Sequence, residues 1–134
     1  MPRYATALGP NAEDTYRRID AAGRTAQADG HQLVELLYDE AIRTLRAAGY
    51  AAANHQYDVR SEKVSRALAI LFALETGLDF DRGGDVARTL ARLYAGARQE
   101  VVDASMGFDP APFERIARTL SEIADAWRAL KPAG

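Results

Sequence analysis

Leu36-Leu37-Tyr38-Asp39-Glu40-Ala41-Ile42 lies at the centre of the run from His31 to Asn54, which predicts the first long helix. Val34, Tyr38 and Ile42 are spaced four apart and form a second apolar line on this helix. The first line contains the core-type residues Leu33, Leu37, Ala41, Leu45 and Ala48. A helix with two apolar lines is either the central helix of a bundle or a helix that offers a groove to a partner.

Three further helices are predicted after this one from core-type residues at helical spacing. The second helix follows a loop at residues 55–58, with Asp58 as its cap and Gly77 as a left-handed residue at its end. The third runs from about Gly84 to Ser105, and the fourth starts at Asp109-Pro110. The cleanest stripe belongs to the fourth helix: Phe113, Ile116, Leu120, Ile123, Trp127 and Leu130. The predicted fold is all-α, an antiparallel up-and-down four-helix bundle.

The N-terminal residues are predicted to add a short extra helix to this bundle. The segment from Ala12 to Ala22 carries Tyr16 and Ile19 three residues apart, and so short a helix must dock onto a larger element. We therefore expect a single helical-bundle domain over residues 1–134, with 1–28 as an N-terminal cap segment and 29–131 as the four-helix core.

Composition and charge exclude several classes of protein. The formal net charge is -2 and the pI is about 5.7, so we expect no nucleic-acid partner. The absence of cysteine rules out disulfides and thiolate metal ligands. The longest apolar run, residues 67–74, is too short for stable membrane insertion, and the first residues do not resemble a secretory signal. We expect a cytoplasmic protein.

The sequence offers little for catalysis or metal binding. A di-iron site in a helical bundle needs Glu-x-x-His pairs, and none occurs here. His31 and His55 lie near predicted helix ends and are expected to be solvated, and His31 with Glu35 alone does not make a metal site. Gly83-Gly84 lacks the lysine of a phosphate-binding loop and is expected to be a structural turn. We expect no cofactor, no metal and no enzymatic activity.

Some apolar residues exceed what a simple core requires. Tyr38, Tyr94 and Trp127 are expected to be core aromatics. Four positions remain evenly balanced between the core and a groove for an amphipathic partner helix: Val34, Ile42, Ile70 and Phe72.

Several motifs, taken in order, resemble the flagellar secretion chaperone FliS family. They are Tyr16; Ala28-Asp29-Gly30; Leu36-Leu37-Tyr38-Asp39-Glu40-Ala41; Gly77-Leu78-Asp79; Gly83-Gly84-Asp85-Val86-Ala87 with Leu90, Leu93 and Tyr94; Ala104-Ser105; and Ala126-Trp127. Glu40 stands where the family usually has glycine, and Ala95-Gly96 stands where it often has Asp-Tyr. Each motif is weak alone, but their order and spacing hold across residues 16–130.

The resemblance implies a cytoplasmic flagellar export chaperone. Such a protein binds the disordered C-terminal helices of flagellin, prevents premature polymerisation and delivers flagellin to the flagellar type III export gate. The implied partners are therefore a flagellin C-terminal segment and an export gate protein, and the free form is expected to be a monomer or weak dimer. The predicted partner-binding residues are Tyr16, Ile19, Val34, Tyr38, Ile42, Ile70 and Phe72. The alternatives are a binding module of the same fold for another flagellar export substrate or a regulator and, further from the motifs, a helical-bundle metal protein.

Overall fold

Four α-helices make up the part of the chain that the computed structural model describes, residues 30–129. They are α1 (Gly30–Ala53), α2 (Tyr57–Thr76), α3 (Phe80–Ala104) and α4 (Ala111–Ala129). No strand occurs among these residues, so the all-α prediction is confirmed. The predicted N-terminal helix with Tyr16 and Ile19 lies outside the described residues.

Contacts between helix ends show that α1 and α4 run antiparallel. The indole Nε1 of Trp127, near the end of α4, donates a hydrogen bond of 2.9 Å to the carbonyl of His31 at the start of α1. At the other end of this pair, Gly49 lies so close to α4 that a Cβ added there would be 3.3 Å from the Cβ of Phe113. α1 packs extensively on both α2 and α4, whereas α3 packs mainly on α2. The up-and-down bundle is confirmed, with α1 as its central helix.

Buried residues from all four helices form one core. Leu120 is fully buried in it, as its position on the predicted stripe of the fourth helix requires, and so is Leu71 of α2. Leu37, which the stripe of the first helix places in the core, is only partly buried, as is Leu93 of α3. Leu37 lines an open cleft at one end of the bundle, and Leu93 lies at the loosely packed face between α3 and α4.

The helix ends differ from the predicted ones in three places. α3 begins at Phe80, four residues before its predicted start at about Gly84. Asp58 does not cap α2, because it lies inside the first turn and Gln56 precedes the helix without a side-chain cap. Gly77 ends α2 with φ -85°, a right-handed conformation in place of the predicted left-handed one. The left-handed residue after a helix is instead His55, with φ 58°. Asp109 does mark the start of α4, since its Oδ1 accepts a hydrogen bond from the N–H of Ala111 at 2.9 Å.

Gly83 and Gly84 together bend α3 near its start. Gly84 has φ 48° and ψ -123°, a conformation that side chains disfavour. A Cβ on Gly83 would lie 2.9 Å from the Cβ of Ala87, which is too close for two carbon atoms. The glycine pair is therefore a structural turn, and it brings residues 78–83 to the edge of the cleft.

Candidate partner-binding surface

An apolar cleft of about 450 Å³ opens at the end of the bundle where α1 begins and α4 ends, which we call the cleft end. Its walls come from the start of α1, the end of α2, the start of α3 and Trp127 of α4. The larger apolar lining residues are Leu33, Val34, Leu37, Leu74, Leu78, Val86 and Leu90. Asp79 and Arg82 are its charged lining residues, and the Asp79 carboxylate accepts a hydrogen bond from the backbone N–H of Arg82 (3.0 Å).

Small residues explain why residues 30–129 leave this end of the bundle open. Ala73 and Gly77 face the space from α2, and Gly83 and Ala87 face it from α3. A protein interior normally fills such a volume with side chains, because every void loses dispersion contacts. The cleft therefore presents apolar walls that an incoming apolar side chain can complete.

A pair of tyrosines forms the floor of the cleft. Tyr94 lines it, and the Tyr94 hydroxyl hydrogen-bonds to the hydroxyl of Tyr38 inside the core. Each residue is only 1% exposed. Burial raises the pKa of both hydroxyls, so both stay neutral at physiological pH. This hydrogen bond ties α1 to α3 across the bundle beneath the cleft.

The rim of the cleft contains a stacked His31–Trp127 pair. The ring centroids are 4.5 Å apart and nearly parallel, at 12°. The His31 Nε2 lies 3.5 Å from Glu35 Oε1, and Glu35 Oε2 lies 3.5 Å from the Nε of Arg128. The His31 side chain is only 10% exposed, so the prediction of a solvated histidine is wrong at this position. His55 is exposed, as predicted.

A second, wider groove of about 940 Å³ runs along α1 between α2 and α4 and is lined by arginines. Glu40 joins two of them, with Oε1 2.7 Å from Arg43 and Oε2 3.0 Å from Arg66. Burial alone would raise the pKa of Glu40, but the hydrogen bonds and charges of Arg43 and Arg66 outweigh it and hold that pKa below its usual value. Glu40, which replaces the usual glycine, therefore links α1 to α2.

The predicted partner-binding residues do not share one groove. Val34 lies in the wall of the cleft, and Ile42 lies in the arginine-lined groove beside Leu36. Phe72 is 43% exposed on the α2–α3 face, where the Arg98 guanidinium lies 5.4 Å from the centre of its ring. Tyr38 and Ile70 are buried in the core, so they support the surface from beneath. Tyr16 and Ile19 lie outside the described residues, and the partner-binding role of all seven remains a prediction.

Sequence reasoning missed most of the cleft walls. Helical spacing gives no sign that Leu33, Leu78, Val86 and Leu90 line a cleft, because Leu33 stands on a helical stripe and the other three stand in motifs with an obvious structural role. The available signal was the concentration of small residues at Gly77 and Gly83-Gly84. Small residues at the end of a bundle leave neighbouring apolar side chains without side chains to pack against.

Neither a metal centre nor a membrane span is found in the part of the chain that the structure describes. Among residues 30–129, no three histidine, aspartate or glutamate side chains come together as metal ligands would. No helix within the same residues combines the length and the apolar character needed to cross a bilayer.

Comparison with known proteins identifies the family. The model of the family described as flagellar protein FliS matches residues 12–134. The flagellar secretion chaperone FliS of Salmonella typhimurium is 30% identical over 128 residues, which is 95% of this chain and 93% of that protein. FliS of Vibrio cholerae is 26% identical over 87% of this chain and 86% of its own length, and FliSB of Pseudomonas aeruginosa is 26% identical over 84% and 89%. The chain therefore belongs to the FliS family of flagellar secretion chaperones.

Proposed function

We propose that this protein is a cytoplasmic flagellar export chaperone whose cleft receives apolar side chains from the C-terminal segment of a flagellin. Membership of the FliS family supports a flagellar secretion substrate. The observation that carries the choice of site is the open apolar cleft, whose walls lack a cover among residues 30–129. Apolar clefts of this kind suit an amphipathic helix that lays one face into them.

The proposed mechanism is coupled folding and binding. A disordered flagellin segment forms a helix as its apolar face meets Leu33, Val34 and Leu37 of α1 and Val86 and Leu90 of α3. The segment loses conformational freedom, and burial of apolar surface at about 25 cal/mol per Å² offsets that loss. Once covered, the segment cannot pair with other flagellins, so polymerisation waits until the complex reaches the export gate. Binding and release suffice for this task, so we assign no catalytic residue.

Two substitutions on α3 test the location of the site. Val86→Glu puts a charge at the edge of the cleft, at a residue 67% exposed, so it will hardly change stability. Val102→Glu makes the same change at a residue 48% exposed, next to Leu68 and Arg98 on the α2–α3 face. Titration calorimetry with a flagellin C-terminal fragment should give a negative heat-capacity change for the unmodified protein. Val86→Glu should weaken binding at least about tenfold, because it brings a charge against the apolar face of the bound segment. Val102→Glu should weaken it less than about twofold, because Val102 does not line the cleft.

The reverse pattern would place the partner on the α2–α3 face beside Phe72 and would refute the cleft assignment. Binding that weakens as salt is raised and shows no heat-capacity change would indicate an electrostatic contact. That result would refute the apolar mechanism. If the flagellin fragment does not bind while another flagellar export substrate does, the chaperone class stands and the choice of flagellin is wrong.

We also propose that Tyr16 contacts flagellin or the export gate directly, as the family resemblance implies. Tyr16→Ala should then weaken binding or export while the melting temperature changes little. A large fall in melting temperature with unchanged affinity would make Tyr16 a packing residue only. Both quantities can be measured on the same variant, with Tyr4→Ala as a matched control for loss of a tyrosine from the N-terminal residues.

A further inference from the structure

A compact aromatic cluster occupies the end of the bundle opposite the cleft, where the α1–α2 and α3–α4 connections meet. We call this the two-loop end. His55 stacks on Phe108 with ring centroids 4.6 Å apart at 17°, and Tyr57 packs against both rings, at 6.1 and 5.9 Å. The Tyr57 hydroxyl lies 3.2 Å from Nδ1 of His55. Since Leu37 in the cleft wall precedes His55 by 18 residues, nearly all of them in α1, this cluster lies about 25 Å from the cleft.

Arg60 holds the cluster in place from below. It is 7% exposed, and its guanidinium lies 5.1 Å from the centre of the Tyr57 ring. Its Nη1 donates a hydrogen bond of 2.8 Å to the carbonyl of Gly107, next to Phe108. The two connections are thus fastened together by side chains, and the outer faces of the rings are held in a fixed arrangement before any partner arrives.

Closing the end of the bundle does not require the exposure that these residues show. Phe108 is 51% exposed, Tyr57 is 48% exposed, and Met106 beside them is 81% exposed. Aromatic residues and methionine are enriched in protein interfaces and depleted on other surfaces. A rigid, half-exposed group of this composition is typical of a contact surface.

Acidic side chains outnumber basic ones around the cluster. Residues 50–63 and 101–114 contain five acidic residues, Asp58, Glu62, Asp103, Asp109 and Glu114, and two basic ones, the buried Arg60 and Lys63. Glu114 is paired with Arg46 at 3.6 Å, which leaves four acidic side chains to act on a partner. Such a surface repels nucleic acid and anionic lipid. A symmetric contact between two copies would bring two acidic surfaces together, which is unfavourable. The complementary occupant is a basic segment of another protein.

We infer that the two-loop end is a second docking surface, which takes a basic segment of a partner protein with an arginine or lysine on the exposed rings of Tyr57 and Phe108. A cation on an aromatic face is attracted by the ring, and neighbouring carboxylates strengthen that attraction. An apolar side chain next to the cation would lie on Met106. This surface is remote from the cleft, so the inference stands independently of the proposed flagellin site and allows two partners to bind at once.

Backbone and methyl NMR spectra of the full chain test the inference with two peptides. One peptide carries two arginines and two leucines spaced by glycine and serine, and the other has glutamate in place of each arginine. The arginine peptide should produce saturable shifts at His55, Met106 and Phe108 and weaker binding as salt is raised. The glutamate peptide should produce none at the same concentrations.

Two variants separate the rings from the charges. Phe108→Ala should weaken binding of the arginine peptide at least about fivefold, because it removes a central aromatic contact. Asp58→Asn combined with Glu62→Gln leaves every ring in place and should weaken binding and flatten its salt dependence. Asp81→Asn, an exposed change at the cleft end, is the matched control and should change neither quantity.

Three results would overturn the inference. Equal binding of both peptides would show that charge does not select the occupant. Saturable shifts confined to other surfaces, or no saturable shift, would show that the cluster only closes the bundle. Concentration-dependent broadening at Met106 and Phe108 without peptide, abolished by Phe108→Ala, would make the occupant a second copy of this chain.

Discussion

The two ends of the bundle close in opposite ways, although the same four helices contribute to both. At the two-loop end, Phe113 fills the space beside Gly49, and His55, Tyr57 and Phe108 cover it. At the cleft end, Ala73, Gly77, Gly83 and Ala87 stand where large side chains would be needed, and a cleft of about 450 Å³ remains.

The difference shows how one bundle can be rigid and receptive at once. Tight packing and side-chain ties at the two-loop end provide stability, because the core there is complete. The cleft end contributes less to stability since its apolar residues keep part of their surface in water. Such incompletely packed regions are where proteins bind partners or move.

The largest expected effect contrasts a core position at each end. Phe113→Ala at the two-loop end should lower the free energy of unfolding by about 3–5 kcal/mol, because Phe113 is fully buried and no neighbour can fill the cavity. Leu37→Ala in the cleft wall should cost only about 1–2 kcal/mol, because it enlarges a space that already exists. Denaturant unfolding of both variants measures the difference. Equal losses would mean that the two ends are packed equally well.

The next effect concerns the glycine turn that shapes the cleft end. Gly84→Ala should destabilise the protein by about 1–3 kcal/mol, because alanine disfavours φ 48°. Gly96→Ala is the matched control further along α3, where a Cβ would meet no atom within 4 Å, and it should stabilise by about 0.4–1 kcal/mol. Thermal unfolding of the two variants measures both changes in stability. A stabilising Gly84→Ala would show that the bend is not needed.

A smaller effect is expected at the floor of the cleft. Tyr38→Phe leaves the buried Tyr94 hydroxyl without its partner, so the free energy of unfolding should fall by about 1–2 kcal/mol. The double variant Tyr38→Phe with Tyr94→Phe should lose little more, and a double-mutant cycle measures the coupling.

The same tyrosines predict behaviour in alkali. Their folded-state pKa values lie above the ordinary 10.0, so their contribution to stability is complete below pH 10 and is lost as the pH rises beyond it. The double variant should lose part of this alkaline sensitivity. An identical alkaline transition in both proteins would contradict the role of burial.

The smallest effect lies between the two ends, at Glu40. Because Arg43 and Arg66 hold its pKa below 4.5, Glu40 stabilises the fold above that pH and loses its contribution as the pH falls through the lowered value. Glu40→Gln should cost less than about 1 kcal/mol at pH 7, as part-exposed ion pairs do, and nothing at pH 2. Equal losses at both pH values would point to packing and away from charge.

Helical periodicity was sufficient to predict the helices and most of the core. Phe113, Ile116 and Leu120 are buried because one turn of helix returns each to the same face. The second apolar line of α1 was harder to interpret. Tyr38 is buried and Val34 is not, because α1 meets neighbours on both sides along its middle but opens to the cleft at its start.

Long-range contacts account for the wrong predictions. His31 has no local sign of burial, and it is covered by Trp127, 96 residues away in the sequence. The cleft exists because the ends of four helices leave a space between them. The pattern of apolar residues along any one helix does not indicate that space. Gly77 carries the usual sign of a left-handed helix end, yet among residues 30–129 the glycine with a positive φ is Gly84, at the bend in α3.

The indole of Trp127 is an intrinsic fluorescent probe of the cleft. It is the only tryptophan in the chain, it lines the cleft, and its N–H is bonded to the carbonyl of His31. Excitation at the indole band therefore reports from one place in the molecule, without an attached dye. Emission should move to shorter wavelength when an occupant excludes water from the cleft, and a ligand at the two-loop end should leave it unchanged. A single fluorescence titration can thus tell which end of the bundle a partner has reached.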